Sequence, residues 1–567
     1  MSRGDTGWTL NREGRPFYIK GVGGSDRLEL LKECGGNSIR TWAIDQGTDV
    51  LLDSAQNLGL TVTLGHWLGH ERHGFSYNNL DQITQQMERV RRDVEKYRDH
   101  PALLMWALGN EMEGYEQGDN PAIWNHIESL ARMVKQLDPH HPTMTVIGEM
   151  AGRRIEAIHK LCPSVDIIGI NAYGGATSLA KRYRELGGTK PFVATEFGPF
   201  GPWEVRADKF NMKTESSSTA RAAAYSNSYR AIRAEKELAL GSFAFLWGHK
   251  MEFTKTWFGM FLPTGERLEP VDVMRRLWSG KSPTNECPRI RRLSLNQSLP
   301  LKANRTVRAR LQVSDPDGDQ LSVRWELAAE ADEVLGGDFQ AKPTDFSDAI
   351  RDGNRSSALI RVPAVGGRYR LYVFVSDGRG GGATANIPIF VDGPKGPAMP
   401  SKVEMPFLVY GDELTDPPFA ATGWMGATDS IAMDEHCTDN PKTGEKCLRV
   451  EYRKMMDWAG AVWQNPPHDW GELPGGYDLS EARELSFWVR GSVGGEKVKF
   501  GFGIIRDDMR YYDSSRFEQE YTLANTWQQI RIDLTSYDLS RIKSGFMWFV
   551  GGQGMPVTFF LDEIRYQ

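Results

Sequence analysis

"LLMWALGNE" (residues 103–111) runs without a break from apolar residues into Gly109-Asn110-Glu111. A short, continuous apolar run reads as a strand covered on both faces, as in parallel sheets. Seven runs of the same kind accompany it: "FYIKGVGG" (17–24), "NSIRTWA" (37–43), "TVTLGHWLG" (61–69), "TMTVIGE" (143–149), "DIIGINAYGG" (166–175), "FVATEFG" (192–198) and "FAFLWGHK" (243–250). Amphipathic helical stretches lie between them. In 80–98, Ile83, Met87, Val90, Val94 and Tyr97 recur at spacings of four and three, with Asn79 placed to cap. In 121–137, Pro121 opens the helix, and Trp124, Ile127, Leu130, Val134 and Leu137 line one stripe. Eight strand-then-helix units in about 270 residues predict a (β/α)8 barrel over residues 8–283.

The chain has 567 residues, too many for one hydrophobic core. Beyond residue 283 the pattern changes to alternating strands and turn clusters, such as "TVRARLQVSDPDGDQLSVRWEL". Residues 284–396 read as an Ig-like β-sandwich. "DGPKGPAMPSK" (392–402) is a Gly/Pro linker, and residues 402–567 read as a β jelly roll. The expected fold is therefore multidomain: a TIM barrel followed by two all-β domains.

Net charge is −6 and mean hydropathy −0.47, with the isoelectric point near 6.1. These values give no electrostatic basis for a nucleic-acid partner. No apolar run reaches the length of a membrane span. None of the five cysteines forms a CxxC pair. Cys437 and Cys447 bracket the turn-rich loop "CTDNPKTGEKC", where a local disulfide would suit an oxidising compartment. The opening Met1–Asp5 has no apolar core of a signal peptide, so export is inferred from the cysteine loop. A secreted, periplasmic or cell-surface location is expected.

In a barrel of this type the active site forms where strands end at their carboxyl side. Glu111 closes the fourth strand and Glu196, in "ATEFG", the seventh. Two carboxyl groups facing one another suit cleavage of a glycosidic bond, one protonating the departing oxygen and the other attacking the anomeric carbon. A neighbouring carboxylate raises one pKa and separates the two roles.

"WALGNE" and, 85 residues on, "TEFG" resemble the pattern of glycoside hydrolase clan A. The resemblance implies a retaining mechanism, with Glu111 as acid/base and Glu196 as nucleophile. It implies Asn110 as donor to the sugar 2-hydroxyl and Arg40, in "NSIRTW", as the group that keeps the nucleophile ionised. It further implies Tyr173, in "NAYGG", as a contact of the nucleophile and Trp247, in "FLWGHK", as the floor of the sugar site. The layout from "RPFYIKGVGG" to "GHW" is similar to fungal β-1,3-glucanosyltransferases and to family-two barrels. The closing region, with "WAGAVWQNPP" and "FFLDEIRYQ", looks like carbohydrate-binding jelly rolls of polysaccharide hydrolases.

His66, Trp67, Trp42 and Trp203 are further substrate-binding candidates, with Glu113, Tyr115, Glu149 and Trp257 as possible subsites. His66 and His70 beside Glu71 also raise a metal reading, weakened because the stretch is a strand end and loop. No catalytic cofactor or barrel metal is expected. A structural calcium is expected near Asp562. Asp315, Asp317 and Asp319 are read as a hairpin turn before a calcium site. Trp458, Trp463 and Trp470 are candidates for stacking on sugar.

The expected activity is a retaining β-glycoside hydrolase on a polysaccharide, most naturally a β-1,3-linked β-glucan. A transglycosylase, a β-mannanase or a β-galactosidase on the same site are the alternatives. The non-enzyme alternative is a polysaccharide-binding protein on a degenerate barrel.

Overall fold

In the computed structural model the described residues are 1–113, 118–330, 343, 345–393, 400, 402–412, 414, 416–507, 509 and 511–567. Tyr115 lies outside them. Two short hairpins (Ser2–Gly4 with Gly7–Thr9, and Asn11–Arg12 with Arg15–Pro16) precede a closed barrel of parallel strands. The barrel strands are β1 (Ile19–Gly23), β2 (Ser38–Arg40), β3 (Thr61–His66), β4 (Leu103–Asn110), β5 (Thr143–Gly148), β6 (Ile167–Asn171), β7 (Phe192–Phe197) and β8 (Ala239–Ala244). They pair in chain order, and β8 closes on β1. The helices are α1 (Leu28–Glu33), α2 (Thr48–Leu58), α3 (Leu80–Tyr97), α4 (Pro121–Leu137), α5 (Arg154–Leu161), α6 (Leu179–Glu185), α7 (Ser218–Ala234) and α8 (Glu269–Ser279).

Alternation along β4 shows why a continuous apolar run is needed. Met105 and Ala107 fill the barrel interior with Ile19, Met144, Val146 and Val193. Trp106 and Leu108 face outward into the layer under the helices. Helices α3 and α4 supply that layer from their apolar stripes, Val90, Val94 and Tyr97 on one and Ile127, Leu130 and Val134 on the other. Asn79 Oδ1 accepts from the backbone N–H groups of Asp81 and Gln82, and Asn120 Oδ1 from that of Ala122, so both helices start on a side-chain cap.

The strand-eight expectation was displaced. Strand β8 is Ala239–Ala244, not 243–250, although the Phe245 and Trp247 N–H groups still donate to the Phe197 and Gly23 carbonyls of the neighbouring strands. The stretch "ALGSFA" reads weakly because Gly241 and Ser242 interrupt it, yet Gly241 stands where the neighbouring strand leaves no room for a side chain. Gly241 lies at φ +142°, and a Cβ there would stand 2.4 Å from Ile19.

After the barrel come two sandwiches. One pairs the sheet Arg289–Leu295, Thr306–Ser314, Ser357–Arg361, Ile350–Arg351 with the sheet Leu301–Lys302, Gly382–Asp392, Gly367–Ser376, Ser322–Ala329. The other packs a six-stranded sheet against a five-stranded one around Leu448, Phe487, Phe500, Phe546 and Phe559. The barrel followed by β domains is the architecture expected from the sequence. Cys437 and Cys447 are cross-strand partners, but all five cysteines are thiols.

Candidate active site

The end of β4 is bent to a purpose. Simple alternation would send Asn110 outward with Trp106 and Leu108. Gly109 takes the left-handed region (φ 78°), as does Glu111 (φ 51°), and the pairing with β5 shifts register between Ala107 and Asn110. Only glycine takes the first of these conformations freely. The result is that Asn110 and Glu111 both turn into the barrel mouth. On the neighbouring strand, a Cβ at Gly148 would stand 2.9 Å from Glu111 Cδ, so a glycine there leaves room for the carboxyl group.

Glu196, at the end of β7, is buried and held by three donors. Arg40 Nη1 donates to its Oε1 at 2.9 Å, Trp42 Nε1 to the same oxygen at 2.9 Å, and the Tyr173 hydroxyl to Oε2 at 2.5 Å. Arg40 is itself buried, with Nη2 donating to Asn110 Oδ1 at 2.6 Å. Asn171 Nδ2 donates to Asn110 Oδ1 at 3.2 Å and to Glu111 Oε1 at 2.7 Å, while its Oδ1 accepts from Thr195 Oγ1 at 2.8 Å. One continuous chain of hydrogen bonds thus joins the carboxylate of β7 to that of β4.

The two carboxyl groups sit in different electrostatic settings. Burial pushes Glu111 above the usual carboxylate range, and the Glu196 charge pushes it further, against the Asn171 hydrogen bond. Glu252, from the segment after β8, acts on Glu111 in the same direction. Tyr173 is raised well above the ordinary phenol by burial and by Glu196, so its hydroxyl remains a donor.

Other expected residues divide. Trp203 is 50% exposed, with its ring edge-on to Tyr173 at 5.4 Å, at the rim of the pocket. Trp42 donates its indole N–H to Glu196. Trp247 was expected under the sugar but is buried against Phe261 and Trp278, 5.1 and 6.5 Å away. With β8 ending at Ala244, its place at the mouth falls to Phe245, whose ring lies 5.8 Å from Trp42 and 6.0 Å from Tyr173. His66 was expected to touch substrate, but it has the outward parity of Val62 and Leu64. It stacks on Trp106 at 5.4 Å and faces Asp93 of α3 at 3.5 Å, and burial lowers its pKa. His66 therefore does not converge with His70 on a metal. Trp67 lies against His70, 5.0 Å between rings.

Glu113 accepts from the Gly148 N–H at 2.7 Å and is pushed up to about 8 by burial. Glu149 pairs with Arg182 at 2.6 Å. Trp257 is buried and donates to the Phe200 carbonyl at 2.8 Å. Asn171, Phe245, Phe258 and Glu252 were missed. Asn171 stands in the quoted strand-six run, and its position at the strand end was the available signal.

Outside the barrel, Asp562 accepts from the backbone N–H groups of Lys442 and Thr443, at 2.8 and 3.0 Å. Asp315 Oδ1 accepts from the N–H groups of Asp317 and Asp319, which is the hydrogen bonding of a turn, and carboxylate oxygens of Asp315, Asp319 and Asp377 lie within 4.8 Å of one another. Trp463 is buried on Phe546, whereas Trp458 and Trp470 are exposed.

Residues 25–200 match the model of the glycosyl hydrolases family 2 TIM barrel domain. The chain is 24% identical over 194 residues to a β-glucuronidase of Streptococcus agalactiae, covering 29% of this chain and 31% of that protein. It is 26% identical over 182 residues to a probable mannan endo-1,4-β-mannosidase C of Aspergillus terreus, covering 27% of this chain and 43% of the relative. Among solved structures, the β-D-glucuronidase of Dictyoglomus thermophilum aligns with a TM-score of 0.38 at 18% identity, over 47% of this chain and 52% of that one. The chain thus spans about a third to two fifths of the length of these curated relatives.

Proposed function

We propose that the chain is a retaining β-glycoside hydrolase that cleaves a polysaccharide by double displacement. The observation that carries this reading is the pair Glu196 and Glu111. The first accepts hydrogen bonds from Arg40, Trp42 and Tyr173, while the second is half-buried, linked to it through Asn110 and Asn171, and pushed toward its protonated form by desolvation and the Glu196 charge. Glu196 attacks the anomeric carbon as Glu111 protonates the departing oxygen. Glu111, now a carboxylate, then activates the water that releases the glycosyl-enzyme. Asn110 Oδ1 is engaged by Arg40 and Asn171, which leaves its NH2 group as the donor for the sugar 2-hydroxyl. Retention asks for carboxyl groups about 5–5.5 Å apart.

The substrate we favour is an uncharged β-glucan, β-1,3-linked, on the layout of the opening strands. Charge supports an uncharged sugar. Arg40 is engaged with Glu196, Lys250 with Glu252 at 2.7 Å, and Arg182 with Glu149. A uronate carboxylate would have to displace one of these partners in a pocket already holding Glu111, Glu196 and Glu252. The mannanase relative keeps β-mannan as a second reading. Transfer to a sugar acceptor in place of water uses the same two carboxyl groups.

The experiment is incubation with β-1,3- and β-1,4-glucans, β-mannan, β-galactan and aryl β-glucuronide, followed by product sizing. Shorter β-glucan products support the reading, and products longer than the substrate identify transfer. No turnover on any member, with retention in an affinity gel, replaces the enzyme with a binding protein.

For the jelly roll we propose glycan contact at exposed Trp458, whose ring meets Phe549 at 6.2 Å. Loss of gel retardation in Trp458→Ala tests it. For location we propose an extracytoplasmic compartment, in which the cross-strand partners Cys437 and Cys447 oxidise to a disulfide; native protein should then offer no alkylatable thiol at either position, and alkylation of both would contradict it.

A further inference from the structure

The first β-sandwich reads from its sequence as a spacer. Its contacts with the barrel are of another kind. The segment after β8 carries Phe245, Phe253, Trp257 and Phe258, which cluster with Tyr173 to form the aromatic wall of the pocket. The same segment carries Glu252, whose charge acts on both Glu111 and Tyr173. What fixes this segment comes largely from outside the strand that precedes it.

Glu215, buried ahead of α7, is the centre of the fixing network. Its Oε2 accepts from Thr254 Oγ1 at 2.6 Å and its Oε1 from Thr256 Oγ1 at 2.8 Å. Asn386, on the sandwich strand Gly382–Asp392, donates from Nδ2 to Glu215 Oε2 at 2.6 Å and to Thr256 Oγ1 at 3.2 Å. Asn386 Oδ1 is in turn held by Arg370 Nη1 at 2.7 Å, and Arg370 reaches back to the Lys213 carbonyl at 2.8 Å. Beside them, Lys255 donates to Glu326 of the sandwich at 2.7 Å. From the barrel side, Arg221 of α7 donates to the Trp257 carbonyl at 2.6 Å. Glu215, Thr254, Thr256, Asn386, Arg221 and Arg370 are all buried. A buried polar network holds one geometry, and losing one member leaves its hydrogen-bond partners unpaired.

We propose that the sandwich is a working part of the active site, with Asn386 as a positioning residue that sets the pocket wall and Glu252 through Glu215, Thr254 and Thr256. Its catalytic consequence rests on the glycosidase reading above. Its structural consequence does not.

The test uses the full chain as Asn386→Ala and Thr256→Val, the second keeping the side-chain shape while removing the hydroxyl that donates to Glu215 and accepts from Asn386. Val307→Ala is the control, since Val307 is buried in the sandwich sheet that does not hold Asn386. Hydrogen–deuterium exchange of peptides covering 249–258 is read together with kcat, KM and the pH profile on any panel substrate that is cleaved. In both network variants we expect exchange of 249–258 to rise about tenfold and kcat/KM to fall about tenfold. The basic limb should move to lower pH as Glu252 leaves Glu111. The control should lower the thermal midpoint without moving these readouts. Wild-type exchange at 249–258 in both network variants, or equal exchange in the control, overturns the proposal. If no panel member is cleaved, the glycosidase reading fails while the exchange result still decides whether the sandwich positions the segment. If Asn386→Ala does not fold, Thr256→Val decides alone.

Discussion

Arg40 and Glu196 form a buried ion pair, 2.9 Å from Nη1 to Oε1, between the ends of β2 and β7. Of the two, Arg40 is 1% exposed and Glu196 5%, so neither charge is relieved by solvent. Removing one partner of such a pair strands the other. Arg40→Met is expected to lower unfolding free energy by about 3–5 kcal/mol in urea titrations and to abolish turnover. Stability equal to wild type would show that Arg40 does not carry the carboxylate.

In the proposed mechanism Glu111 is both the proton donor and the later base, and Glu111→Ala removes both. A loss of about 10²–10⁴-fold in kcat is expected on a glycan substrate. An aryl glycoside with an acidic phenol needs no proton on departure, so its first step should suffer less. Equal losses on both substrates would count against Glu111 as the acid.

The pH dependence follows from the same group. Glu111 must be protonated to act, and burial together with the Glu196 charge raises its pKa. Activity is therefore present below that raised value and lost as pH climbs through it. Glu252 contributes in the same direction. Glu252→Gln removes a negative charge and should move the basic limb of kcat/KM to lower pH. A limb that stays in place would separate Glu252 from the acid.

Much of this pocket was legible because its chemistry sits at strand ends, where an apolar run stops on a polar residue. Glu111 and Glu196 were named on that signal, Asn110, Arg40 and Tyr173 on the resemblance to glycoside hydrolase clan A, and the structure gathers all five in one place. Asn171 ends β6 in the same manner but was passed over beside "NAYGG". His66 failed on parity: it shares the outward face of Val62 and Leu64, which a run buried on both faces does not reveal. Trp247 failed on register, since "FAFLW" is more apolar than the true strand "ALGSFA". Trp463 looked like loop sequence but lies within a strand of the jelly roll core. The Glu215 network joins residues 171 positions apart, a distance over which no local pattern operates.

Trp203 offers a separable test of substrate contact. It stands exposed at the rim and touches Tyr173 edge-on. Trp203→Ala should raise KM about 2- to 12-fold, the equivalent of about 0.5–1.5 kcal/mol of stacking. The thermal midpoint and kcat should stay near wild type. A fall in kcat with unchanged KM would place the ring in the chemistry instead.

The central claim is that Glu196 attacks and Glu111 protonates across one pocket, so that configuration is kept. Proton NMR of the first sugar released, recorded before mutarotation on whichever β-linked substrate is cleaved, reads this directly. The β-anomer should appear first. First appearance of the α-anomer would mean a single displacement by water, and would contradict the role given to Glu196.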